Sequence, residues 1–211
     1  ASLLASHGDS VTIGLEIPAD QMDAFTKKPS KDNVKRSAFF KEPSVDGRAS
    51  DAWAAIIESA LSNPRINIFF FDITAADQKN GYDRDSLMFV KVKHEMMTHP
   101  NHTCITLSGN VHSMTQQFRG SPKMGYYLAT DESLGLGNRV CSVSNNYSSG
   151  TMLNNSGHGL ELKTVTMNDT PYSTSVNYNN YLMLIPTIPS KACSAILFTR
   201  TITAATMTGQ Q

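Results

Sequence analysis

Cys104-Ile105-Thr106-Leu107-Ser108-Gly109-Asn110-Val111-His112-Ser113 decides how this chain is read. An apolar, β-branched run stops at Gly-Asn, and a histidine follows two residues later. The run Val11-Thr12-Ile13-Gly14-Leu15-Glu16-Ile17-Pro18 has the same character and delivers a carboxylate at its exit. In open α/β sheets the carboxyl ends of the strands are where ligands bind and catalytic groups gather. Glu16 and His112 are therefore the first candidates for a metal or acid–base site. The competing reading is that each merely caps a strand.

Working outward, Ser10 to Ile17 reads as a buried strand broken by Pro18 to Asp20, and Asp20 caps a short helix from Gln21 to about Lys27. Residues 28–50 read mostly as loop, anchored by Phe39 and Phe40. Ser50 or Asp51 caps a helix over Ala52–Leu61, where Trp53, Ile56, Ile57, Ala60 and Leu61 recur at helical spacing. Ile66 to Ile73 is a second strand, and its continuous Ile68, Phe69, Phe70 and Phe71 suit cover on both faces. Tyr82 or Asp83 begins a long helix to about Thr98, with Leu87, Met88, Val90, Val92 and Met96 inward. Thr103 to Leu107 follows as a third strand.

This alternation predicts an α/β fold with a mainly parallel central sheet flanked by helices. The sheet is expected to hold Val11–Ile17, Ile66–Asp72, Thr103–Leu107 and Ile196–Thr201. Beyond His112 the character changes. Leu134 to Ser156 is rich in Gly, Asn and Ser, with a strand expected at Arg139–Val143. Asn177 to Asn180 is similarly polar and precedes an apolar turn at Tyr181–Ile185, and Ala195 to Ile202 closes the chain as a strand. Residues 120–190 read as a loop-rich C-terminal cover, a kind of region that often binds or covers a ligand.

The chain's 211 residues suit a single domain, 1–211, with one core. Eighteen basic and eighteen acidic residues balance, so no electrostatic footprint for nucleic acid or an anionic membrane is present. Lys27, Lys28, Lys31, Lys35 and Arg36 cluster, but Asp32 dilutes them into a solvated face. No window is long and apolar enough for a transmembrane helix. The low charged content, 17%, with plentiful Asn, Ser and Thr, suits a secreted or periplasmic protein. Ala1 to Gly8 reads as the last turns of a helix ending at a C′ glycine, with no signal peptide or initiator Met, so a preceding segment is expected. Cys104, Cys141 and Cys193 match no metal spacing. Cys104 reads as a buried small hydrophobe, while Cys141 and Cys193 pair only if the compartment is oxidising.

Asp46-Gly47-Arg48-Ala49-Ser50 is first a turn and a cap, but Arg48 also has the reach to grip an anionic group. Arg84-Asp85 opens the long helix and reads as a structural ion pair, with Asp85 favoured by the helix N-terminus. Gln21, one turn into its helix, is placed to point back toward Glu16. His7, His94, His99, His102 and His158 show no ligand spacing. The chain has no G-x-S-x-G elbow, phosphate loop, G-x-G-x-x-G after a strand or H-E-x-x-H. These absences argue against serine-esterase, nucleotide-binding and zincin chemistry.

Four islands together resemble one group: Gly14-Leu15-Glu16-Ile17-Pro18 with Gln21, Asp46 to Ser50, Arg84-Asp85 with Met88, and Gly109-Asn110-Val111-His112. The closing Leu197-Phe198-Thr199-Arg200-Thr201-Ile202-Thr203-Ala204 adds a fifth. The pattern is similar to the ChaN-like proteins of the erythromycin-esterase/ChaN/TraB superfamily. That resemblance implies an α/β fold with a pocket at the strand ends. It also implies members that are metal-dependent or metal-independent hydrolases, or haem-binding exported bacterial lipoproteins. By the same resemblance Glu16 and His112 are pocket residues and metal ligands, with Gln21, Arg48, Asp85, Asn110 and Arg200 nearby as ligand-binding residues. The family's first motif, a Gly-Glu followed shortly by His, is absent from this chain.

Two classes of function follow as expectations. In one, the chain is an exported bacterial pocket protein, periplasmic, lipid-anchored or secreted. It holds haem or a divalent metal, with His112 or one of Tyr126, Tyr127, Tyr147 and Tyr172 as axial ligand. In the other it is a metal-dependent hydrolase of an ester, lactone or amide. Glu16 is then ligand or general base, His112 is ligand or proton donor, and Arg48 or Asn110 stabilises the oxyanion. Either way the partner is a small molecule, not nucleic acid, and a homodimer is compatible with the chain. Glu16 and His112 are expected to face one cleft within roughly 10 Å of each other.

Overall fold

The computed structural model describes residues 8–22, 25, 31–41, 47–136, 139–155, 160–166, 180–184 and 193–204. The opening helix end, most of the helix expected from Gln21 to Lys27, Asp46, His158 and Tyr172 lie outside the described residues. The chain folds as two compact units. Unit 1 comprises Ala1–Glu42, Arg48–Gly109 and Thr206–Gln211, and unit 2 comprises Pro43–Gly47 and Asn110–Ala205.

Unit 1 is built on a parallel sheet of β1 (Val11–Pro18), β2 (Ile66–Asp72) and β3 (Thr103–Leu107), in the order β2-β1-β3. Val11 to Ile17 of the central strand are all buried, as expected of a strand covered on both faces. Register runs from Val11 opposite Ile66 and Thr103 to Leu15 opposite Phe70 and Leu107, then shifts so that Asp72 faces Pro18. All three strands therefore release their chains at one edge.

Short helices α1 (Lys31–Lys35) and α2 (Ala38–Lys41) occupy what sequence suggested was loop. Helices this short carry too few turns for periodicity to reveal them. Phe39 and Phe40 do anchor the segment, at 7% and 2% exposure, and Phe25 packs edge-on between Phe40 and Phe70. Helix α3 (Asp51–Leu61) crosses from β1 to β2 and buries Ala54, Ile57 and Ala60. Helix α4 (Ala75–Lys79) is closed by a reciprocal capping box between Thr74 and Asp77.

Helix α5 (Arg84–Thr98) starts where Asp83 accepts from the Ser86 N–H at 2.7 Å. Its buried stripe is Asp85, Met88 and Val92, at helical spacing. Val90 was expected inward but is 51% exposed. Two residues beyond Met88 is about 200° around the helix, so Val90 sits on the opposite face.

Unit 2 carries helix α6 (Met124–Thr130) and a four-stranded sheet, ordered β5-β4-β7-β6. The strands are β4 (Val143–Asn155), β5 (Leu160–Thr166), β6 (Asn180–Leu184) and β7 (Ala195–Ile202). Three expectations are corrected here. The closing strand β7 pairs with β4 and β6, not with the sheet of β1. The stretch read as loop holds a thirteen-residue strand that starts where the expected strand at Arg139–Val143 was to end. Tyr181 to Leu184 of the expected turn at Tyr181–Ile185 belong to strand β6, and Ile185 lies outside the described residues. Asn- and Ser-rich segments have poor intrinsic strand propensity, and ladder partners on both sides override it.

Two side-chain predictions follow. A Cβ on Gly14 would lie 2.6 Å from Phe69 Cζ and 3.1 Å from Phe71 Cδ1, inside the packed core. Gly14→Ala should cost about 1–3 kcal/mol by overpacking, seen as a lower melting temperature. Ser50 holds the N-cap of α3 without a side-chain cap bond, and its buried hydroxyl has no partner among the described residues. Replacing a capping Ser by Ala typically costs about 1 kcal/mol, but Ser50→Ala should leave stability unchanged or raise it. A drop in denaturant midpoint for Ser50→Ala would contradict this.

Candidate functional site

Glu16 lies two residues before the end of β1, Asp72 ends β2, and Gly109 lies two residues past β3, so strand register gathers them at one edge. Two arginines arrive from the connections. Arg48 sits in the one-turn helix Gly47–Ala49 before α3, and Arg84 is the first residue of α5. Both helices begin at this edge because each returns the chain to the start of the next parallel strand.

Arg48 Nη1 donates to Glu16 Oε1, the Glu16 carbonyl and Asp72 Oδ2, each at 3.0 Å. Arg84 grips Asp72 in a fork, Nε to Oδ1 at 2.8 Å and Nη2 to Oδ2 at 2.8 Å. The same Nη2 donates to Glu16 Oε1 at 2.7 Å. The Gly109 N–H closes the network on Glu16 Oε2 at 2.7 Å, and Lys91 Nζ donates to the Asp72 carbonyl at 2.8 Å.

Burial makes this arrangement compulsory. The Glu16 and Asp72 side chains are only 7% and 8% exposed, and a buried carboxylate must be paired or protonated. Burial works to raise the Asp72 carboxyl. The hydrogen bonds and charge of Arg84, the Ile73 N–H and the charge of Arg48 outweigh it and hold Asp72 below its ordinary value. Burial pulls Arg84 down, but Asp72, then Glu16 and Asp85, raise it above the usual arginine value. Both carboxylates therefore act as anchors for the guanidinium groups.

The expected site residues divide between the units. Glu16 and Arg48 meet in unit 1 as described. Gln21 donates to the neighbouring Asp20 at 3.3 Å, and Asp85 is buried on α5. Asn110, His112 and Arg200 belong to unit 2. The Asn110 side chain brackets the backbone of Asn145, donating to its carbonyl at 2.9 Å and accepting from its N–H at 3.1 Å. It thereby satisfies an otherwise open stretch of β4. The half-buried His112 accepts from the Gly125 N–H at 2.8 Å through its carbonyl, and a Cβ on Gly125 would collide with the Ser113 carbonyl. Arg200 lies exposed on β7.

Sequence reasoning missed Asp72 and the role of Arg84. Asp72 had the same signal as Glu16, a carboxylate at the exit of an apolar strand. Arg84 was read as a partner of Asp85, but the carboxylates it grips are Asp72 and Glu16. An apolar groove of about 420 Å³, lined by residues including Ile13, Ile56, Ile66, Ile105 and Leu107, runs between α3 and the sheet. Strand alternation puts these odd-numbered β1 and β3 residues on the face opposite Glu16, so the groove is separate from the charged edge.

No family model matches the chain, and no curated protein matches it by sequence. Two solved structures share its fold. A mutant erythromycin esterase, EreC, in its open conformation superposes with a TM-score of 0.62 at 14% identity, over 99% of this chain and 86% of that one. A Bacillus cereus protein superposes with a TM-score of 0.64 at 12% identity, over 99% of this chain and 85% of that one. The mixed α/β architecture, with its parallel three-stranded sheet flanked by helices, is thus one that an erythromycin esterase also uses.

The depressed Asp72 predicts acid sensitivity. A carboxyl held lower in the folded chain adds stability above its unfolded value, about pH 4, and that stability is lost as pH falls through the lower folded value. Asp72→Asn should cost about 3 kcal/mol near neutrality by leaving the arginines underpaired. It should also flatten the decline in stability below about pH 4. Denaturant melts of both proteins from pH 7 to pH 2 test this, and parallel curves would refute it.

Proposed function

We propose that the chain is a hydrolase-like member of the erythromycin-esterase/ChaN/TraB superfamily that meets an ester, lactone or amide at the charged edge of unit 1. One observation carries this reading: two arginines are clamped by buried carboxylates at the carboxyl edge of a parallel sheet. The fold shared with an erythromycin esterase supports it.

The chemistry follows from the geometry. In hydrolysis, water's oxygen bonds to the acyl carbon and negative charge develops on the carbonyl oxygen; collapse of this adduct restores the carbonyl and breaks the acyl–leaving-group bond, and the water's proton passes to the leaving group. Preorganised guanidinium N–H groups stabilise that charge without reorganising at the moment of reaction. Glu16 acts here by holding Arg48 and Arg84. As a metal ligand or general base it fits poorly, because both its oxygens already accept from Arg48, Arg84 and Gly109. Among the described residues, no group of three or more His, Cys, Asp or Glu side chains is arranged to hold a metal. A proton-transfer role for His112, haem binding and export are separate proposals, each resting on the family resemblance.

The test is turnover. The purified chain should hydrolyse p-nitrophenyl acetate, γ-butyrolactone or erythromycin, and Arg84→Met should lower kcat/KM about 10²–10³-fold while melting as a folded protein. No turnover of any of the three substrates sinks the hydrolase reading. A Soret band on haem titration would put the binding-protein reading in its place.

A further inference from the structure

We propose that Arg84 gives unit 1 a contact for a neutral oxygen acceptor, the carbonyl of an ester, lactone or amide, and that the same edge disfavours the carboxylate which hydrolysis would produce. The identity of the compound rests on the hydrolase reading, whereas the contact itself does not. A guanidinium carries five N–H donors in a fixed fork. Nε of Arg84 serves Asp72 Oδ1, and Nη2 serves Asp72 Oδ2 and Glu16 Oε1. Nη1 has no acceptor among the described residues. The Arg84 side chain is 36% exposed, against 7% and 8% for the carboxylates that it grips. A pair of donors is thus left over on a group that bidentate pairing holds still, so that a ligand freezes few rotamers on binding.

Charge then selects the ligand. Arg48 and Arg84 are balanced by Glu16 and Asp72, and Lys91 pairs with Asp77 at 3.3 Å. Among the described residues an incoming carboxylate meets no net positive charge, and it must shed its own full hydration shell, whereas the oxyanion of hydrolysis develops in place against donors that are already fixed. A carbonyl oxygen accepts from the same N–H donors with far less desolvation. Hydrolysis converts the second kind of ligand into the first, since the acid formed ionises, and the product is thereby released.

The Gly109 amide, which donates to Glu16 at 2.7 Å, reports on the site in an NMR titration. Wild type is titrated with γ-butyrolactone and, separately, with its hydrolysis product, sodium 4-hydroxybutyrate. The lactone should saturate the shift at a concentration about tenfold or more below the acid. Arg84→Met should abolish the lactone response, and Arg84→Lys should restore part of it. Asp72→Asn, which removes one negative charge, should narrow the preference for lactone over acid, a selectivity change that a loosened fold alone does not produce. If Asp72→Asn does not fold, the wild-type and Arg84→Met titrations still decide. The proposal is overturned by acid binding as tight as lactone, by no saturable lactone shift, or by lactone binding undiminished in Arg84→Met. Lactone binding without turnover keeps this contact and removes the hydrolase reading. Turnover with an unmoved Gly109 amide does the opposite.

Discussion

Two carboxylates at the ends of adjacent parallel strands cannot be buried unless cations are buried with them. Glu16 and Asp72 meet that condition through Arg48 and Arg84, and the edge of unit 1 is organised around the exchange. Arg48 ties the start of α3 to both strands, and Arg84 ties the start of α5 to the same pair. The Gly109 N–H then draws the exit of β3 onto Glu16. One ionic cluster thus joins every connection that leaves the sheet at this side. Replacing such a cluster by apolar side chains is often neutral or stabilising in other proteins, so stability alone does not explain it.

The cluster also constrains the chemistry available to it. Against the pull of burial, Arg84, the Ile73 N–H and Arg48 hold the Asp72 carboxyl below its ordinary value, which makes it a poor base, and both Glu16 oxygens already accept from Arg48, Arg84 and Gly109. Under the proposed hydrolase reading, the guanidinium groups are therefore the ones that act on a substrate. They present donors in a geometry fixed before any ligand arrives, which is the condition under which hydrogen bonds stabilise developing charge most effectively.

Unit 2 solves a different problem. Its strands are rich in Asn, Ser and Thr, and they hold together by ladder pairing across a sheet of mixed direction. Where β4 runs beyond its partner β5, the Asn110 amide supplies the missing donor and acceptor to Asn145. A side chain first considered for ligand binding thereby completes the hydrogen bonding of a strand. The packing of Gly125 against His112 and Ser113 shows the same economy, because only a glycine admits that approach.

The parallel sheet was legible because strands covered on both faces are rich in apolar residues, and the sequence shows this at Val11–Ile17 and most plainly at Ile68–Phe71. Helices α3 and α5 were legible from their spacing, and Glu16 and Arg48 from their places at a strand exit and a helix start. What the sequence by itself determined was therefore the three strands and two longer helices of unit 1, and that Glu16 lies near the exit of its strand. Tertiary structure alone decided that Asp72 and Arg84 complete the cluster, since ion pairs are chosen by distance across the fold and not along the chain. It alone decided, too, that β7 joins β4 and not β1. A strand carries the same alternation whichever sheet receives it, and only three-dimensional packing selects the neighbour.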